Sequence, residues 1–196
     1  MPPTQLDALY KEIRACNACA AHLPLGARPV LRGRASARLM IISQAPGTKV
    51  HETGLSFNDR SGDRLRDWLG IARETFYDER RVAILPQGFC YPGRHARGGD
   101  LPPRPECAPL WHERVLALLP KLELILLVGS YAIDYYLAGT KKPRMADTVA
   151  AWRDYLPRYF PLPHPSWRTV LFERKNPWFE EDLLPALRKR VKKLVA

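Results

Sequence analysis

The chain has no apolar run approaching the roughly 20 residues that span a bilayer, so a membrane-spanning helix is excluded. It has no internal repeat, no long low-complexity segment and no linker, and one domain over residues 1–196 is expected. The opening residues, MPPTQLDALYKEI, contain no basic region followed by an apolar stretch, so no signal peptide is expected and the protein is read as cytoplasmic. Acidic residues are scarce: 20 Asp and Glu against 31 Lys and Arg leave a net charge of +11. That balance favours a polyanionic partner. Cysteine is scarce too, with four in the chain. In a reducing compartment, so few thiols argue against a disulfide framework and towards metal or redox chemistry.

What is present is a regular alternation of apolar strands and helices. Leu6, Leu9 and Ile13 recur at helical spacing. RLMIIS (38–43) reads as a buried strand ending at Pro46 and Gly47, and RLRDWLGI follows as a helix capped by Ser61. VAIL (82–85) is a second strand, entering a long loop rich in Pro, Gly and Arg. CAPLWHERVLALLP is a helix and LELILLVG (122–129) a third strand. YAIDYYLAG and AAWRDYL read as helical, RYFPL (158–162) as a fourth strand, and NPWFEEDLLPALRKRVKKLV as a closing helix. This predicts an α/β fold: a three-layer α/β/α sandwich around a central, mainly parallel four-stranded sheet. Ligands of such folds sit beyond the carboxyl ends of the strands. SQAPG, LPQGFC and LPHPSWR converge there.

The cysteines are Cys16, Cys19, Cys90 and Cys107. The C-x-x-C pair follows a helix and precedes the first strand, which is the wrong place for a thioredoxin-like dithiol. Cys90 and Cys107 bracket YPGRHARGGDLPPRPE, so closure of that loop brings them together. Four thiolates suit zinc or an iron–sulfur cluster, and composition does not separate the two from each other or from unligated packing.

SQAPGTKVHETGLSFNDRSGDRL, taken with the later HPS, resembles the family-4, iron–sulfur type of uracil-DNA glycosylase. That family's first motif, G-E-A-P-G, then T-G, a Phe and R-x-G before a Leu, is met without a gap. Ala45, Pro46, Gly47, Thr53, Gly54, Phe57, Arg60, Gly62 and Leu65 fall on it. His164, Pro165 and Ser166 match H-P-S, and the four cysteines stand in the order of the family's cluster ligands. The resemblance covers about residues 13–168.

It implies a monomeric, monofunctional DNA glycosylase that flips uracil or another deaminated base out of DNA and hydrolyses its bond to the sugar. It implies a [4Fe–4S] cluster on Cys16, Cys19, Cys90 and Cys107, structural rather than redox-active. Phe57 would stack on the base. His164 would donate a hydrogen bond to uracil O2 as charge develops there, and amides of the SQAPG turn, from Gln44 through Ala45 to Gly47, would line the same pocket. Ser166, Trp167 and Arg168 would form the insertion loop, unless Trp167 or Arg168 instead caps the helix that follows. Arg94 and Arg97, with His95 between them, would lie along phosphates. For the basic C-terminal run from Arg188 to Lys193, a solvated helix end and DNA contact are both open.

The departures fall on the chemistry. Gln44 replaces the motif's acid and Ser43 its first glycine, while TKVH (48–51) replaces an acidic run. The base-reading Asn aligns with Pro86, leaving Gln87 beside it as the nearest amide. A relative that binds damaged or abasic DNA with little excision is therefore the alternative expectation.

Overall fold

The computed structural model describes residues 4–196; Met1, Pro2 and Pro3 of the opening segment lie outside the described residues. The first helix, α1 (Gln5–Arg14), opens with a capping box: Thr4 accepts from the Asp7 amide and the Asp7 carboxylate accepts from the Thr4 amide. It buries Leu6, Leu9, Tyr10 and Ile13, the stripe its periodicity predicts.

Beyond it the chain runs β1 (Leu39–Ile42), α2 (Thr48–Thr53), α3 (Arg60–Leu69), α4 (Arg73–Tyr77) and β2 (Val82–Ile84). The second half is α5 (Cys107–Ala117), β3 (Leu124–Val128), α6 (Ser130–Tyr136), α7 (Met145–Ala150), β4 (Tyr159–Leu162), α8 (Thr169–Lys175) and α9 (Leu184–Val195). The strands form one sheet in the order β2-β1-β3-β4, and every pairing is parallel. All of β1 and most of β3 have no accessible surface, which requires cover on both faces and explains their unbroken apolar runs. Helices supply that cover in a three-layer α/β/α arrangement: α3 packs on α9 and α9 on β1, while α1 packs on α5.

Three local expectations are corrected. Helix α3 is capped by Asp59, not Ser61: Asp59 is extended and its carboxylate accepts from the Gly62 amide at 2.9 Å, while Ser61 already lies in the first turn. The closing segment is not one α-helix either, since Phe179–Leu183 is a π-helical turn before α9 begins. Pro185 has no amide to donate back to the preceding turn, so the regular ladder starts only after it. Similarly, AAWRDYL divides into the end of α7 and a 3₁₀ turn, Trp152–Tyr155.

The second strand leads into a loop supported from behind by His112 on α5. This buried ring stacks on Phe89 at 5.5 Å, contacts the Tyr136 hydroxyl through Nδ1, and bonds the Pro86 carbonyl through Nε2 at 3.1 Å. A carbonyl only accepts, so Nε2 carries the proton and Nδ1 accepts from Tyr136. Burial pushes the His112 pKa down to about 4. Unfolding restores a value near 6.5, so the unfolded chain binds the extra proton between those limits. Stability contributed by neutral His112 should therefore be whole above pH 6.5 and fall by about 3 kcal/mol as pH drops to 4. Urea titrations of His112→Gln across that window should give a flatter pH dependence than the native protein.

Candidate active site

Strand β1 passes its chain to β2 on one side, and β3 passes its chain to β4 on the other. Between the carboxyl ends of β1 and β3 the connections diverge and leave a crevice, the usual ligand position in such sheets. A pocket of about 150 Å³ occupies it. A cavity of that size takes a single benzene-sized ring. The turn after β1 contributes Ser43 through Gly47, the segment after β2 contributes Pro86 and the segment after β4 contributes His164. Phe57 and Asp59 enter from the segment before α3, and Asp100 from the loop between Cys90 and Cys107.

Phe57 is buried and holds a φ of +56°, a conformation that residues with side chains rarely adopt. Its carbonyl is pressed onto α3, where a Cβ on Gly62 would stand only 1.8 Å from it. The same carbonyl accepts from the Arg66 guanidinium at 3.3 Å. Arg66 is itself buried, lying over the rings of Phe76 and Tyr77. The glycine of the R-x-G motif is thus a contact surface for the backbone that aims Phe57. The Phe57 ring meets Phe76 edge-on at 5.9 Å.

His164 leaves β4 between Pro163 and Pro165. Gly129 at the end of β3 makes room for it: a Cβ there would lie 3.4 Å from His164 Cβ. The His164 carbonyl accepts from the Ser166 amide at 2.8 Å and from the Thr169 hydroxyl. Burial pushes the imidazole pKa below its ordinary value, with Asp59 and Asp100 pulling the other way. The ring is therefore a neutral donor at neutral pH. Ser56, also in the lining, is buried, and its hydroxyl has no protein partner.

Gln44 lines the pocket, but its side chain is engaged: Nε2 donates to the Leu101 carbonyl at 3.2 Å. Gln87 stands outside the pocket lining, and its Oε1 is buried without a protein partner. Beyond His164 the loop turns outward. Trp167 is 77% exposed with the Arg168 guanidinium over its ring, and Arg168 occupies the cap position of α8 without a side-chain capping bond. Arg64 on α3 donates to the Ser166 carbonyl and pairs with Glu173, which fixes that loop to the scaffold. Arg94 and Arg97 are exposed on a small hairpin, where the backbones of Arg94 and Asp100 form an antiparallel bridge and positive-φ Gly98 and Gly99 form the turn.

All four cysteines are free thiols. Burial raises the pKa of Cys90 to about 11 and of Cys107 to about 12, and Cys16 and Cys19 add unfavourable charge to both. Such mutual influence places the four in one neighbourhood. Cys107 Sγ accepts from the Phe89 amide at 3.3 Å, and Cys19 lies beside Glu106. Among the described residues, no three His, Cys, Asp or Glu side chains are arranged to hold a single metal ion.

Residues 31–188 of the 196 match the Uracil DNA glycosylase superfamily. The chain belongs to that superfamily. Its all-parallel sheet flanked by helices agrees with that superfamily, whose members act on DNA. Among the described residues, no helix is long and apolar enough to cross a membrane. Two pocket residues, Ser56 and Asp100, were not singled out from sequence. The Gly-Gly step before Asp100 was a legible hairpin signal that turns this aspartate back towards the strands.

A Cβ at residue 62 cannot coexist with the Phe57 carbonyl. Gly62→Ala should cost about 1–3 kcal/mol in urea unfolding. Gly139→Ala, where nothing lies within 4 Å, should change stability by less than about 0.5 kcal/mol.

Proposed function

We propose that this protein is a monofunctional, iron–sulfur-type DNA glycosylase that removes uracil or another deaminated base, acting as a single-domain monomer in the cytoplasm. The observation that carries the reading is the one-ring pocket at the strand ends, with buried Phe57 and a half-buried, neutral His164 in its walls. Extruding a nucleotide costs a few kcal/mol, which stacking and filling of the vacated gap offset. Phe57 would stack on the base, and Trp167 is an exposed wedge for the gap. Arg168, with Arg94 and Arg97 on the hairpin, would hold phosphates. As the bond to the sugar breaks, electrons flow into the base. A neutral His164 donating to a base carbonyl oxygen matches that charge without needing a proton from solvent. Ser56, and amides from Gln44 to Gly47, supply further polar contacts to the base. Pro86 offers no side-chain amide, so preference for uracil over other deaminated bases would be weaker than a pocket Asn provides.

The cysteine set fits a [4Fe–4S] cluster. Cys16, Cys19, Cys90 and Cys107 come from three segments, influence one another, and include a sulfur that receives an amide hydrogen bond. A cubane takes one thiolate on each iron, so its ligands need not converge on a single point. When bound, the cluster would supply a cross-link between the N-terminal segment and the base of the hairpin loop. Protein produced with iron supplied should be brown and hold about four irons per chain. Stoichiometric zinc without iron or sulfide would refute the assignment.

The test of function is incubation with duplexes bearing uracil, hypoxanthine or xanthine, followed by alkaline cleavage of abasic sites. Excision is expected for at least one of them, with His164→Ala slowing it roughly a hundredfold to a thousandfold. Tight binding to these duplexes with no release of any base would instead support the binding-only reading, for which the missing acid at position 44 is the motive.

A further inference from the structure

The motif's acid is absent at position 44, yet the pocket is not without carboxylates. Asp59 and Asp100 both line it. They are not equivalent. Asp59 is committed to the Gly62 amide at 2.9 Å as the cap of α3. Asp100 makes no such bond to a helix; it sits at the base of the hairpin, beside the residue that Gln44 grips. Its carboxylate reaches the turn after β1 closely enough that a Cβ on Gly47 would lie 3.4 Å from Oδ2. Asp100 is an exposed residue, whereas Phe57 is buried. A base stacked on Phe57 therefore leaves its sugar at the mouth, on the side where Asp100 stands.

The Gln44 amide accounts for the exchange. Its Nε2–H donates to the Leu101 carbonyl, which a carboxylate at the same position would repel. Gln44 acts as a strut that holds the hairpin base, and with it Asp100, over the crevice. We propose that Asp100, delivered by the hairpin, is the catalytic carboxylate that activates the attacking water, in place of the acid the first motif lacks. This rests on the glycosylase reading above. The electron pair of the bond between C1′ and the base nitrogen leaves with the base. Water oxygen bonds to C1′, its proton passes to the Asp100 carboxylate, and solvent then takes the proton from Asp100.

The experiment is single-turnover excision from whichever of the uracil, hypoxanthine or xanthine duplexes the native protein cleaves. It is paired with affinity for a duplex bearing a tetrahydrofuran abasic analogue, measured by fluorescence anisotropy. Asp100→Asn should slow excision by about a hundredfold or more while leaving affinity within about threefold. Asp59→Asn, which keeps a capping oxygen, should cost at least ten times less. Added formate should restore part of the rate to Asp100→Ala, which a merely structural aspartate would not allow. Three results would overturn the proposal: Asp100→Asn within threefold of native, the larger loss at Asp59, or loss of excision in step with loss of DNA affinity and melting temperature. A native protein that binds these duplexes and releases no base would defeat the glycosylase reading itself, and the role of Asp100 with it.

Discussion

The carbonyl of Phe57 lies where any side chain on residue 62 would have to be, and this contact organises the pocket. It holds Phe57 at a positive φ, and so turns its ring towards the crevice instead of along the chain. Strain of that kind costs on the order of 1–3 kcal/mol and survives only when its surroundings over-determine it. Here Gly62 supplies the space, Arg66 bonds the same carbonyl, and Phe76 sets the ring's edge-on neighbour. Asp59 closes the arrangement by capping the helix that carries Gly62 and Arg66. One local conformation thus ties the pocket wall to the rigid middle of the fold.

The remaining wall comes from topology. A parallel sheet whose order changes direction between β1 and β3 opens a crevice at their carboxyl ends, and three post-strand turns meet there. The hairpin between Cys90 and Cys107 closes one side, joined to the crevice by the Gln44 amide and the close approach of Asp100 to Gly47. The HPSWR loop closes another, held by Arg64 through the Ser166 carbonyl and Glu173. Both loops present cationic side chains outward, as a surface that meets a polyanion requires.

The sheet was legible because central parallel strands must be apolar throughout, and LMII, VAI and LILLV say so plainly. The helix cap was missed by two residues because Asp59 and Ser61 are both good capping types, and only backbone conformation chooses between them. Position 44 was read as a lost acid, since sequence shows the substitution but not the Leu101 carbonyl across from it. That contact joins residues 57 positions apart and carries no local pattern. Asp100 stayed hidden for the same reason, and Gln87, chosen for its nearness in sequence to Pro86, is not among the lining residues.

The most direct test of the account is a crystal structure of the protein on a duplex containing 2′-fluoro-2′-deoxyuridine, whose bond to the base resists hydrolysis. The base should lie out of the stack and inside the crevice pocket, with a carbonyl oxygen in hydrogen-bond reach of His164. Trp167 should fill the vacated gap, and Asp100 should face C1′ at the mouth. A nucleotide still stacked in the duplex, or a base seated in any other cleft with the hairpin turned away from the sugar, would contradict it.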